Sequence, residues 1–223
     1  MKDALSIIRM NTPNVKHLTL SFPYTHNGGV DQERRLDLSA FLFENLKILE
    51  LCCECNMLDL TSCHSLGSVS LRDGITVHGL SKLESLKMKD YVCKELDLSY
   101  CPNLETIKVT VNELGDDITL IPSALNGLAK LKRLKMKDCV FEEMDLSSCL
   151  NLESIIIRGG GTLKANALHG LATLNNLVME IRGCKGLDLS SCQNLEIIDL
   201  LGEIKLKPTA LHGLTTLTNL KMK

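Results

Sequence analysis

The chain has 223 residues, 44% of them hydrophobic, enough apolar material for one sizeable core or one continuous repeat array. Its formal net charge of -2 gives the molecule as a whole no pull toward nucleic acid or an anionic membrane. Aromatic residues make up only 3% and tryptophan is absent, so the ring faces on which single-stranded bases stack are scarce.

Residues 1–14 carry Lys2, Asp3, Ser6 and Arg9 between their apolar positions, which leaves no room for a secretory hydrophobic region; they read as a lead-in. No later stretch approaches the roughly 18 consecutive apolar residues needed to span a bilayer. Both features point to the cytoplasm and to a chain without a membrane span. From residue 15 the chain repeats. The pattern L-x-x-L-x-L, with conservative replacements, stands at 15–20, 46–51, 66–71, 83–88, 104–109, 131–136, 152–157, 174–179, 195–200 and 217–222. In each copy the last two apolar residues flank one outward residue, the period-2 mark of a half-buried strand, so ten strands are expected. His26, Asn27, Gly28 and Gly29 give a loop signal inside the long first interval.

Two kinds of unit alternate. One reads LDLTSCHSLGSVSL from Leu58, LDLSYCPNLETIKV from Leu96, MDLSSCLNLESIII from Met144 and LDLSSCQNLEIIDL from Leu187, with LDLSAF at Leu36 a worn copy. Its return segment is expected to make a turn or a short 3₁₀ piece, with Ser99, Ser147 and Ser190 bonding nearby backbone. The other reads GLSKLESLKMK from Gly79, GLAKLKRLKMK from Gly127, GLATLNNLVME from Gly170 and GLTTLTNLKMK from Gly213, each glycine marking a tight turn at positive φ.

Cysteines fall in two columns. Cys55, Cys93 and Cys184 precede the LDL leucine by three, where Phe141 stands in a fourth copy; Cys63, Cys101, Cys149 and Cys192 follow it by five, where Phe41 stands in the worn copy. Phenylalanine can neither ligate a metal nor form a disulfide, so both columns read as small buried apolar slots, with no metal site. His78, His169 and His212 recur before the turn glycine by duplication, with Asn126 in the fourth copy, and no nucleophile elbow, phosphate loop or zinc-protease helix is present. No enzymatic activity and no cofactor are expected.

A repeat of about 20–29 residues built on L-x-x-L-x-L resembles the leucine-rich-repeat family over residues 15–223. The resemblance implies an α/β solenoid: a horseshoe with a parallel β-sheet on its concave side and irregular, 3₁₀ or short-helical segments on its convex side. It also implies a binding module, similar to the repeat region of an intracellular nucleotide-binding, leucine-rich-repeat receptor with an innate-immune or signalling role. The chain departs from the family at the slot three residues after the last leucine, where Asn or Cys is usual: only Asn112 and Cys139 fit among nine copies. The last strand is followed by no polar closing segment, so the array is expected to run on past Lys223.

The residues flanking the inner leucines should tile the concave sheet, three per repeat. Ten of these thirty are basic and three acidic, a face of +7 that leaves -9 for the rest of the chain. A protein ligand with an acidic surface is therefore expected on Arg72, Lys87, Lys89, Lys108, Arg133, Lys135, Lys137 and Arg158, beside the apolar Ile156, Val178, Ile197 and Leu201. The residues leave three other functions open: a substrate adaptor of a ubiquitin ligase, a polyanion binder, and a cysteine-dependent enzyme using Cys52, Cys53 and Cys55. Nucleic acid is not the expected partner, and the oligomeric state is open.

Overall fold

A computed structural model describes residues 14–21, 35–37, 45–52, 57–59, 63, 65–71, 76–78, 81–89, 98, 101–110, 118–120 and 124–223. In chain order the strands are β1 (His17–Ser21), β2 (Arg35–Asp37), β3 (Ile48–Cys52), β4 (Met57–Asp59), β5 (Ser68–Leu71), β6 (Thr76–His78), β7 (Ser85–Lys89), β8 (Thr106–Thr110), β9 (Ile118–Leu120), β10 (Arg133–Phe141), β11 (Ser154–Gly159), β12 (Asn176–Leu187), β13 (Ile197–Leu206) and β14 (Asn219–Met222). Ten of them, β1, β3, β5, β7, β8, β10, β11, β12, β13 and β14, lie side by side in that order, and every pairing along this path is parallel. Each starts two residues into one of the ten motifs, so the expected strands and their register are present.

The motif leucines face inward and form one continuous core. Leu46, Leu49 and Leu51 of one coil meet Leu66 and Val69 of the next, and the same slots hold Leu131, Leu134, Met136, Leu152, Ile155 and Ile157 further along, all buried. Each such side chain contributes roughly 1.5–3 kcal/mol on burial, so the stack rather than any single coil carries the stability.

The strands do not stop at the concave sheet. In β10 the register shifts between Lys137 and Cys139, where Asp138 takes φ 57°, and Cys139–Phe141 then pair with β9. In β12 and β13 the pairing shifts likewise and continues through Cys184–Ile204 and Leu187–Leu206. Near the N-terminus β2, β4 and β6 form a separate three-stranded parallel sheet. A second row of parallel pairing thus follows the concave strand in these coils. This corrects part of the expectation for LDLS: its start pairs in parallel, as Leu36 with Leu58, Met144 with Leu163 and Leu187 with Leu206, and the residues after it, Leu146–Cys149 and Leu189–Cys192, form the expected turn, each cysteine amide donating to the leucine carbonyl at 2.9 Å.

The convex side differs from expectation in having no helix among the described residues. Its i→i+3 bonds come in isolated turns, such as Ala167 N to Lys164 O at 3.1 Å and His169 N to Asn166 O at 2.9 Å. Gly170 at φ 80° then reverses the chain, as Gly127 at φ 76° and Gly213 at φ 78° do in their coils. One turn fixes several dihedrals for a single bond, and a left-handed residue immediately after it prevents propagation. These three glycines therefore take the positive φ expected of them, and Gly79 lies outside the described residues.

Coils are also tied by side-chain bonds of two alternating kinds. Where an LDLS coil stacks on a Gly-Leu coil, Cys149 Sγ donates to Leu125 O at 3.4 Å, Asn151 Nδ2 donates to Ala129 O at 2.7 Å, and Ser148 Oγ accepts from Gly127 N at 3.4 Å. Cys192, Asn194 and Ser191 repeat the set on Leu168, Ala172 and Gly170 at 3.3, 2.8 and 2.9 Å. Where a Gly-Leu coil stacks on an LDLS coil, Thr173 Oγ1 donates to Leu150 O and Leu152 O, Thr216 Oγ1 to Gln193 O and Leu195 O, and Lys164 and Lys207 reach Asp145 and Asp188 at 3.8 and 3.1 Å. Asp188 also accepts from the Ser190 hydroxyl and amide, and these bonds together with Lys207 hold its carboxyl down at about 2. Burial pushes the Asp145 carboxyl up, but the matching bonds from Ser147 and the nearby Lys164 outweigh it and the net shift is downward. The ladder missing from its usual family slot is thus supplied by Asn and Thr just before the first motif leucine.

The described members of the cysteine columns, Cys63, Cys101, Cys149, Cys184 and Cys192, are buried, as is Phe141. Burial pushes the Cys149 and Cys192 thiols up to about 11. At pH 8 roughly one such thiol in a thousand is thiolate, so alkylation of these two should await unfolding, read by mass spectrometry across a urea series. Their modification in the folded protein at the rate of an exposed thiol would overturn the packing role. Gly161 gives a second test, since a Cβ there would stand 2.3 Å from the buried Phe141 ring, whereas one on Gly127 meets nothing within 4 Å. Gly161→Ala should lower stability by about 3 kcal/mol, against about 1–2 kcal/mol for Gly127→Ala, whose cost is the left-handed backbone alone. Equal urea midpoints for the two variants would remove the steric account.

Candidate binding face

The outward residues of the concave sheet form three rows that run across the strands. The central row, read through the strand register, is Thr19, Glu50, Ser70, Lys87, Lys108, Lys135, Ile156, Val178, Asp199 and Lys221. On one side of it lies a row containing Thr106, Arg133, Ser154, Asn176 and Ile197; on the other, one containing Thr110, Lys137, Arg158, Glu180 and Leu201. The expected orientation is present: Lys87, Lys108, Arg133, Lys135, Lys137 and Arg158 are exposed, while Ile156, Val178 and Leu201 are half-buried and Ile197 is 39% exposed. Arg72 and the side chain of Lys89 lie outside the described residues.

These cations are not equivalent. Lys137 reaches Asp138 at 3.1 Å, Arg158 reaches Glu180 at 4.0 Å and Lys221 reaches Asp199 at 3.3 Å. At the other end of the face Glu50 takes His17 at 3.6 Å and the Thr19 hydroxyl at 3.3 Å. Among the described residues, Lys87, Lys108, Arg133 and Lys135 have no carboxylate partner. The uncompensated charge is therefore concentrated on three neighbouring strands, β7, β8 and β10. Sequence reasoning counted ten equal cations because charge alone does not show pairing. The Arg158–Glu180 and Lys221–Asp199 pairs were legible as same-row neighbours one coil apart, but Lys137–Asp138 depends on the left-handed Asp138, which no pattern announces. Asp199 Oδ1 is buried without a hydrogen-bond donor, a cost that this end of the face carries.

Adjacent strands are about 4.8 Å apart, so Lys87, Lys108 and Lys135 stand in a column of like charges. Two unit charges at 4 Å repel by about 1 kcal/mol in water, and salt screens this within about 10 Å. Lys108→Glu would convert two repulsions into two attractive cross-strand pairs. It should raise stability by roughly 0.4–2 kcal/mol in low salt and by clearly less in high salt. No gain in the low-salt urea midpoint would show that the three ammonium groups already avoid one another.

No family model matches the chain, and no curated protein is similar to it in sequence. Solved structures do match. A leucine-rich-repeat protein of Leptospira interrogans superposes with a TM-score of 0.68 at 17% identity, covering 97% of this chain and 57% of the other. An internalin from Listeria monocytogenes superposes with a TM-score of 0.55 at 17% identity, covering 82% of this chain and 55% of its own. The chain spans a little over half the length of each. With the ten parallel motif strands, the continuous leucine core and these neighbours together, the chain folds as a leucine-rich-repeat solenoid.

Proposed function

We propose that the chain is a protein-recognition module that holds the acidic surface of a partner on its concave face and performs no chemistry of its own. The observation that carries this is the group Lys87, Lys108, Arg133 and Lys135, exposed on adjacent strands, without a carboxylate partner among the described residues and next to the half-buried Ile156 and Val178. Such charge, set in a sheet whose register keeps it together, is available to a ligand in a way that the paired Arg158 and Lys221 are not. An apolar centre beside a charged border is the composition of a recognition surface. A role as the ligand-sensing part of an innate-immune or signalling receptor fits such a face and follows the resemblance to receptor repeat arrays. A cytoplasmic setting is supported by Cys149, Cys184 and Cys192, whose thiols donate to backbone carbonyls rather than forming disulfides. Burial raises the thiols of the same three residues, the reverse of an activated nucleophile, while Cys53, Cys55 and the side chain of Cys52, on which cysteine chemistry would rest, lie outside the described residues.

The test is retention of protein from cell lysate by the wild-type chain and by a variant with Lys87, Lys108, Arg133 and Lys135 changed to Glu. A discrete protein held by the wild type and lost by the variant is the expected result. Retention of the same protein by both forms would place the binding surface elsewhere. A polyanion binder would instead show affinity falling steeply with salt on heparin, since every phosphate or sulfate contact releases counterions.

A further inference from the structure

The central row of the concave face is ordered as well as charged. Between Glu50 and Asp199 it reads Ser70, Lys87, Lys108, Lys135, Ile156 and Val178, one residue per strand in unbroken register. Three cations are thus followed by two apolar side chains, and a carboxylate closes the row at each end. A long anion of uniform charge laid along it would run onto Glu50 or Asp199 before it had used more than three strands. A short acidic segment followed by something apolar would not.

The spacings sharpen this. Strands repeat about every 4.8 Å, so with Lys87 at the origin Lys108 lies near 5 Å, Lys135 near 10 Å, Ile156 near 14 Å and Val178 near 19 Å. An extended peptide lying across the strands turns every second side chain toward the sheet, roughly 6.7 Å apart. A first carboxylate placed between Lys87 and Lys108 then puts a second beside Lys135, where Arg133 in the next row of the same strand reaches the same region. The third inward side chain arrives between Ile156 and Val178. On these grounds, and resting on the function proposed above, we infer that the row reads an extended peptide carrying two acidic side chains at alternate positions and an apolar side chain at the next alternate position. The row sets the order of the three groups, not the direction of the peptide chain.

The experiment uses the full chain, isotope-labelled, and follows its amide chemical shifts on titration with synthetic peptides in low salt. The ordered probes are Gly-Glu-Gly-Glu-Gly-Leu-Gly and its reverse; the control is Gly-Glu-Gly-Leu-Gly-Glu-Gly, which has the same composition and charge and reads alike in both directions. One ordered probe should bind at least about five-fold more tightly than the control, a gap of the size that one partly buried apolar contact supplies. That gap should close in the double variant Ile156→Thr and Val178→Thr, whose own amide spectrum reports whether it is folded. Equal binding of ordered and control peptides, with both lost in Lys108→Glu, would overturn the inferred order while leaving the acidic-partner function in place. If no acidic peptide shifts the amides of β7, β8 or β10, that function falls and the inference falls with it.

Discussion

A coil of about twenty residues exposes backbone hydrogen-bonding groups at both edges of its strand and leaves its inner leucines covered on one side only. Parallel stacking removes both costs at once, since each strand completes the ladder of its neighbour and each leucine row closes over the next. The exposure values follow this. In β13, with coils on both sides, Ile198 and Leu200 are 0% and 1% exposed; in β14, with a coil on one side, Leu220 and Met222 in the same slots are 47% and 45% exposed. The residues are equally apolar, and the difference is the neighbour.

Stacking in strict register has a second effect, on the outward residues. It converts a sequence period into straight rows of side chains at the strand spacing, so a chemical bias repeated once per coil becomes a continuous surface. Lys87, Lys108 and Lys135 come from both unit types, yet the register sets them side by side. The same rows hold the compensating pairs Arg158–Glu180 and Lys221–Asp199. Among the described residues the largest group of unpaired cations on the face thus lies on three strands, although the charge excess belongs to the whole sheet.

The concave strands, their register and the buried cysteine slots were legible in the sequence because each rests on a signal repeated many times. Period-2 alternation is insensitive to which aliphatic residue fills a slot, so even copies such as SVSL at Ser68 or SIII at Ser154 align. The second row of parallel pairing was not legible. The start of LDL pairs as strand before the turn, Leu36 with Leu58, Met144 with Leu163 and Leu187 with Leu206, and three residues carry too little pattern to announce a strand inside a return segment. The lack of a helix among the described residues was not legible for a related reason: Ala167 and Leu168 favour a helix locally, but Gly170 ends the segment after one turn. The usual family slot holds no side-chain ladder pattern, and Asn103, Asn151, Asn194, Thr173 and Thr216 supply the ladder beside the first motif leucine instead. On the binding face, sign and position were readable and pairing was not.

The alternation of bonds between coils sets a rule for length. The thiol, seryl and asparagine bonds of Cys149, Ser148 and Asn151 are made to carbonyls and the glycine amide of the Gly-Leu coil beneath, and those of Thr173 and Lys164 to the LDLS coil beneath. Between Gly127 and Met222, adding or removing one coil brings two like coils together, as the coils of Leu36 and Leu58 already stand, and separates both sets of partners, whereas adding or removing a pair restores these interfaces. In this part of the solenoid the structural quantum is two coils, and it can lengthen by whole doublets without a new kind of junction.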